Sequence, residues 1–208
     1  MSDKRQQFRR LVKSGFAKAL KPFGFDSSKA NGFTRKLDEV VHLVSLQFYL
    51  SNKDSLNYNS SSYAFSVEFG IHYECIPYRY RPIENRNPRS WECELRKNVS
   101  KILIQPEFPN RLIWSASEDW SDLPDLITDA QLATINDLSW FDQLSDLRTA
   151  YKVICRSRED PLGTWGQGGS GSPIRNFYAA FMAKRLGKQK DAETCVLATT
   201  LWTKDRDF

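Results

Sequence analysis

The sequence predicts an α+β fold: an antiparallel sheet of about four strands, packed by an N-terminal helix and followed by C-terminal helices. Three observations lead to this prediction. Helical spacing of apolar residues opens the chain, strand-like alternation dominates residues 31–104, and helical spacing returns near residue 124. The chain has 208 residues and a hydrophobic content of 40%, which is enough for one sizeable core.

The first helix is predicted over residues 4–21. Its apolar stripe includes Phe8 and Phe16, and its other faces carry basic side chains. Pro22 and Gly24 follow at once. They are expected to end the helix, because proline breaks the hydrogen-bond pattern and glycine favours the left-handed turn that closes a helix.

Strands and one loop are predicted next. Residues 31–37 form a short strand, residues 40–50 form a longer one, and residues 52–59 form a polar loop. Residues 63–74 alternate most regularly, with large apolar side chains at the odd positions. The odd positions are expected to face the core and the even positions to be partly wet, as in a sheet covered on one side. A fourth strand is expected within residues 91–104.

Two helical patterns follow the sheet. The first lies near residues 124–138. The second is predicted to be capped by Ser139 and to keep a single apolar stripe as far as Ile154. Both helices are therefore expected to bury one face against the rest of the protein.

A glycine-rich segment separates this part from the end of the chain. Five glycines lie between residues 156 and 172, which predicts a linker. Ser172 and Pro173 then mark the start of a helix that Gly187 ends, and a last helix covers about residues 190–203. The predicted parts are an α+β domain at residues 1–155, a glycine-rich linker at 156–172 and a two-helix extension at 173–208.

The sequence is typical of a cytoplasmic protein. No apolar run approaches the ~20 residues that a membrane span needs, so no membrane partner is predicted. The charged N-terminus lacks the apolar core of a signal peptide. The four cysteines are far apart and form no CxxC pair, which favours reduced thiols over disulfides or a zinc site.

Four segments carry a resemblance to a known family: Gly24-Phe25, Phe33-Thr34-Arg35-Lys36, the strand from Leu43 to Phe48, and the strand from Phe65 to Ile71. Together they resemble the bacterial domain-of-unknown-function family four-three-zero-four. The resemblance covers roughly residues 5–150 and implies a small bacterial cytoplasmic α+β protein without a catalytic motif to carry over. Small proteins of this appearance often lie beside polymorphic toxins as candidate immunity factors.

No motif indicates an enzyme, a cofactor or a metal. The chain has only two histidines, His42 and His72. His42 falls on the apolar side of its strand and is expected to be a core residue. His72 is expected on the wetter side with Glu68 and Glu74, where a metal or hydrolytic site is a third candidate function.

The strongest functional signal is a segregation of charge. Residues 112–147 contain eight acidic residues and no Lys or Arg. An acidic helical face of this kind attracts a basic partner and speeds its association. Two other interpretations stay open: a solvated face, or packing against the protein's own basic N-terminal helix. The predicted partner contacts, with Trp120 and Trp140 as aromatic anchors, are Glu118, Asp119, Trp120, Asp122, Asp125, Asp129, Asp142 and Asp146.

The N-terminal helix gives the alternative. Residues 1–21 carry seven basic residues and one acidic residue. Such a helix could follow a phosphate backbone through Arg9, Arg10, Lys13 and Lys18. The function predicted first is a non-catalytic interaction protein, an immunity-type protein that neutralises a basic protein toxin. Nucleic-acid binding is the alternative.

Overall fold

The predicted α+β fold is confirmed, with an N-terminal helix, an antiparallel sheet and C-terminal helices. The computed structural model describes residues 3–28, 31–58, 60–77, 87–103, 107, 110–156, 164, 166 and 172–204. Within these ranges the helices are α1 (Asp3–Leu20), α2 (Asn52–Tyr58), α3 (Leu123–Asp137), α4 (Ser139–Ser145), α5 (Leu147–Cys155), α6 (Pro173–Arg185) and α7 (Gln189–Lys204). The strands are β1 (Asp26–Ser27), β2 (Gly32–Leu37), β3 (Val40–Tyr49), β4 (Ala64–Tyr73), β5 (Leu95–Asn98) and β6 (Trp114–Ser115).

The sheet has the order β1-β2-β3-β4-β5, and β6 also pairs with β4. The six strands found among the described residues exceed the predicted four because β1 and β6 are two-residue strands that periodicity cannot detect. The fourth predicted strand is shorter than expected, since β5 has only four residues.

Local signals place the end of α1 where the sequence predicts it. The helix buries Phe8, Val12, Phe16 and Leu20, one residue per turn. A single 3₁₀ turn at Lys21–Phe23 follows. Gly24 then adopts a φ of 79°, which glycine reaches without steric cost, and its N–H donates to the carbonyl of Lys21.

The chain divides into two compact units. The first consists of Met1–Arg35, Leu43–Phe69 and Asn98–Leu138, and the second of Lys36–His42, Gly70–Lys97 and Ser139–Phe208. The predicted division into 1–155, 156–172 and 173–208 stays a prediction. Most of the predicted linker lies outside the described residues.

Aromatic side chains fill the core of the first unit. Phe65 is fully buried, stacks on Trp114 at 5.7 Å between ring centroids and meets Phe16 edge-on at 6.3 Å. Helices α1 and α3 approach closely in this unit, because a Cβ atom on Gly15 would lie only 2.9 Å from Ile127 Cγ2. A glycine therefore allows the two helices to pack against each other.

The second unit contains α4 to α7. Tyr73 is buried, and its hydroxyl donates to the carbonyl of Leu144 at 2.6 Å. Burial raises the pKa of the Tyr73 hydroxyl well above its usual value, so it remains a donor. Helices α6 and α7 form a hairpin whose turn is made by Gly187 at a φ of 72°, as the sequence predicts.

Residues 52–59, predicted as a polar loop, contain helix α2. The signal was local: Ser51 Oγ accepts a hydrogen bond from the Asp54 N–H at 3.1 Å and donates to Asp54 Oδ2 at 2.7 Å. This is the capping arrangement that starts a helix. The helix was not predicted because the segment has no apolar stripe.

The single helix predicted from Ser139 to Ile154 is also wrong. Two helices, α4 and α5, are separated at Asp146, whose backbone is extended with a φ of −73° and a ψ of 118°. The Asp146 carboxylate accepts the Thr149 N–H at 2.9 Å and caps α5. The apolar stripe continues across the break, so the spacing alone could not reveal it.

The prediction of a wet face on β4 fails as well. All ten residues of the strand are buried, including Glu68 and His72 at the even positions. Small side chains at those positions, such as Ser66, led to the prediction that this face is partly exposed to water. Burial of a strand on both faces depends on what covers it, and periodicity carries no information about the cover.

Candidate partner-binding surface

An acidic loop at residues 117–122 is held in one conformation by hydrogen bonds between its own residues. Asp122 Oδ1 accepts the Ser117 N–H at 2.8 Å and lies 2.7 Å from Ser117 Oγ. Asp119 Oδ1 accepts the Ser121 N–H at 3.1 Å and the Ser121 hydroxyl at 2.9 Å. Hydrogen bonds from Ser117 and Ser121 lower the pKa of the Asp119 carboxyl to about 2. The loop therefore presents a permanent negative charge on a defined backbone.

Trp120 sits at the centre of this loop in an unusual backbone conformation. Its φ is 65°, a region that bulky residues seldom adopt. Its ring is partly exposed, meets the Tyr63 ring edge-on at 5.2 Å and packs on Phe8 at 5.6 Å. The loop thus holds an indole ring at the surface of the first unit.

A lysine from the protein's own N-terminal helix lies over the rings of Tyr63 and Trp120. Lys4 Nζ lies 5.2 Å from the centroid of the Tyr63 ring and 5.2 Å from that of Trp120. It also donates to the main-chain carbonyl of Glu118 at 3.0 Å. Sequence reasoning missed Lys4 and Tyr63, because they come together only through the packing of α1 on the sheet.

The predicted acidic contacts in the first unit separate into two groups. Asp122 orders the loop, and Asp129 accepts the Trp114 Nε1–H at 2.8 Å and the Leu103 N–H at 3.3 Å, so both stabilise the fold. The exposed group consists of Glu118, Asp119 and Asp125. Among the described residues, no Lys or Arg forms an ion pair with these three carboxylates.

The remaining predicted contacts lie in the second unit. Asp142 is exposed on α4. Asp146 caps α5, and its hydrogen bonds from Thr149 lower the pKa of its carboxyl. Trp140 is only 2% exposed, so its predicted role as an aromatic anchor is wrong. The apolar stripe that predicted the helix also explains this, because Trp140 belongs to that buried stripe.

The basic face of α1 is partly engaged within the first unit. The Arg9 guanidinium lies 5.3 Å from the Phe48 ring centroid, and Lys13 Nζ donates to the Ser28 carbonyl at 2.9 Å. Arg10 and Lys18 are exposed. Of the four predicted phosphate contacts, two are therefore presented to solvent.

Both histidines belong to buried hydrogen-bonded pairs in the second unit. His42 is a core residue, as predicted: its ring stacks on Phe141 at 4.6 Å, and its Nε2 lies 2.9 Å from Ser145 Oγ. His72 is only 1% exposed, and its Nδ1 lies 3.0 Å from Glu94 Oε1. The buried Glu94 carboxylate also accepts the Tyr73 N–H at 3.0 Å.

His72 is thus buried beside Glu94 and does not lie on the partly wet face where the alternation of β4 suggested a candidate metal site. Burial raises the pKa of the Glu94 carboxyl, although the hydrogen bond with His72 acts in the opposite direction. Within the described ranges, no group of three His, Cys, Asp or Glu side chains is arranged to hold a metal ion. The four cysteines, all of them described, form no disulfide.

The fold and the surface define a small α+β protein with an aromatic pair and exposed carboxylates on an ordered loop. The family model described as domain of unknown function (DUF4304) matches residues 16–141, and the chain belongs to that family. No curated protein and no solved structure is significantly similar to this chain. In the described part of the chain, no helix has the length and apolar character needed to cross a membrane.

Proposed function

We propose that this protein is a non-catalytic interaction protein that binds a basic protein, as an immunity-type protein does when it neutralises a bacterial toxin. One observation carries the proposal: among the described residues, exposed carboxylates that form no ion pair lie before and after an ordered tryptophan along a stretch that contains no Lys or Arg. The contact set is smaller than the sequence predicts, and in the first unit it consists of Glu118, Asp119, Trp120 and Asp125.

Physical principles connect this surface to a basic partner. Opposite charge steers a partner towards the surface and raises the association rate. A tryptophan at the centre of a contact supplies a large buried area and is a frequent hot spot. The hydrogen bonds of Ser117 and Ser121 order the loop before binding, so little conformational entropy is lost when the partner arrives. Toxins that act on nucleic acids are cationic because their substrates are polyanions, which makes them suitable partners for an acidic surface.

The test begins with capture of partners from native lysate, with nuclease-treated controls, followed by affinity measurements on the captured basic protein. The double variant E118K/D125K is expected to weaken binding by about tenfold or more, mainly through slower association. Because screening removes this contribution, the difference should shrink at high salt. Asp122 and Asp129 are left unchanged, since their substitution would disturb the fold.

The matched control is D26K/E193K, which changes the net charge by the same amount at two other exposed carboxylates. It is expected to keep the wild-type association rate. Equal losses in the two double variants would mean that net charge, and not this surface, governs binding. Wild-type affinity in E118K/D125K would remove the proposal.

Nucleic-acid binding through α1 is the second candidate, and the exposure of Arg10 and Lys18 favours it. If it is correct, R10A/K18A lowers affinity for a duplex of arbitrary sequence and reduces the salt slope by about two. Our proposal instead expects weak duplex binding that R10A/K18A does not change, measured by fluorescence anisotropy across a salt series. A steep slope that the double variant lowers would favour the nucleic-acid candidate.

A further inference from the structure

The contacts of Lys4 describe a site for an ammonium group. Two ring faces and one main-chain carbonyl surround its Nζ atom: Tyr63 and Trp120 at 5.2 Å each, and the Glu118 oxygen at 3.0 Å. Aromatic faces attract cations through their quadrupoles, and the carbonyl accepts one of the three ammonium N–H groups. The arrangement therefore fits a primary ammonium group.

The conformation of Trp120 is costly for the protein. A bulky side chain at a φ of 65° is strained, and a residue without a large side chain would tolerate this position better. Its Nε1–H is buried and has no hydrogen-bond partner among the residues that the structure describes. Packing on Phe8 alone does not require the ring to face Tyr63 and a lysine. Strain of this kind tends to mark a binding site.

Lys4, in contrast, is held weakly. It is exposed and lies in the first turn of α1, where helices fray most readily. Its one hydrogen-bond acceptor is an uncharged carbonyl, and no carboxylate forms an ion pair with it in the described part of the chain. Another ammonium group can therefore replace Lys4 without disturbing the core.

We infer that the Tyr63–Trp120 ring pair binds a lysine side chain of the partner and that Lys4 is an internal competitor for the same place. The inference deepens the proposed function and rests on it for the identity of the partner, whereas the ligand chemistry follows from the contacts of Lys4. Glu118 and Asp119, which precede Trp120 in the chain, supply the negative field around the incoming cation.

The experiment uses N-acetyl-lysine methylamide as the probe and follows the indole N–H resonance of Trp120 by NMR. Loss of that resonance in W120F assigns it. Lys4→Ala is expected to bind the probe about fivefold more tightly than the wild type, because the competing lysine no longer covers the two rings. Lys18→Ala, which removes another exposed lysine of α1, is the matched control and is expected to keep the wild-type affinity.

Two further probes define the chemistry. The uncharged N-acetyl-norleucine methylamide is expected to cause no shift. The trimethylated lysine probe is expected to bind more weakly than lysine, because it cannot donate to the Glu118 carbonyl. Equal responses in Lys4→Ala and Lys18→Ala, or a response to norleucine, would overturn the inference.

This experiment is separable from the test of the proposed function. Probe binding that Lys4→Ala strengthens supports the site even if E118K/D125K leaves partner binding unchanged, in which case the proposed function fails alone. An indole resonance of Lys4→Ala that does not respond to the lysine probe overturns the site, whatever the partner does.

Discussion

Phe65→Ala is expected to lower the free energy of unfolding by about 3–5 kcal/mol, the usual cost of removing a buried phenylalanine ring. The Phe65 ring lies between Trp114, Phe16 and Phe8, at centroid distances of 5.7, 6.3 and 6.4 Å. These rings come from β6 and α1, so they cannot all move into the space left behind. The substitution therefore loses both the burial of the ring and the contacts around the cavity.

Urea denaturation monitored by circular dichroism measures the change. An unchanged m-value shows that the surface exposed on unfolding stays the same. Phe23→Ala is the matched control, because the same ring is removed from a side chain that is 39% exposed. It is expected to change stability by much less than Phe65→Ala. Similar losses at the two positions would show that Phe65 does not anchor the core of the first unit.

Glu94→Ala is expected to lower the free energy of unfolding by about 3–5 kcal/mol, because a buried pair loses one partner. The carboxylate accepts from the Tyr73 N–H at 3.0 Å and lies 3.0 Å from His72 Nδ1, and both residues are only 1% exposed. Neither group can exchange its lost partner for bulk water. Glu94→Gln keeps an acceptor oxygen in the same place and is expected to cost less.

The same pair predicts a dependence of stability on pH. Burial raises the folded-state pKa of Glu94 above its ordinary 4.5, so the folded protein holds the proton more tightly than the unfolded chain. This contribution to stability is fully present below about pH 4.5 and is lost as pH rises through the folded-state pKa. The stability of the wild type relative to Glu94→Gln should therefore fall as pH rises above about 4.5 and through the folded-state pKa of Glu94.

Unfolding curves of the wild type and of Glu94→Gln over this range measure the difference directly. Carboxyls with lowered pKa, such as those of Asp119 and Asp146, cancel in the comparison because both proteins contain them. A difference that stays constant with pH would contradict the raised pKa. A difference that grows with pH would mean that folding lowers the pKa of Glu94 and does not raise it.

Much of the secondary structure could be predicted from local signals. Helix α1 ends where Pro22 and Gly24 predict it, and α6 begins after Ser172 and ends before Gly187. These signals act within a few residues, so they survive without knowledge of the fold. The start of α2 was equally local, at Ser51, but the absence of an apolar stripe concealed it.

The candidate site was predictable only in part. Composition located the acidic stretch and drew attention to Trp120, which the structure holds at the surface. It could not separate the exposed Asp125 from Asp129, which accepts the Trp114 indole N–H. Two carboxylates on one helix have the same local pattern, and only the neighbours supplied by other elements distinguish a scaffold residue from an exposed charge.

The sequence by itself determined the α+β class, most helix boundaries and the segregation of charge, because each depends on residues that are close along the chain. Only the tertiary structure decided that both faces of β4 are buried, that His72 pairs with Glu94 and that Lys4 lies on Trp120. His72 and Glu94 are 22 positions apart in the sequence, and Lys4 and Trp120 are more than a hundred positions apart. Such contacts arise from packing between elements, which local periodicity does not specify.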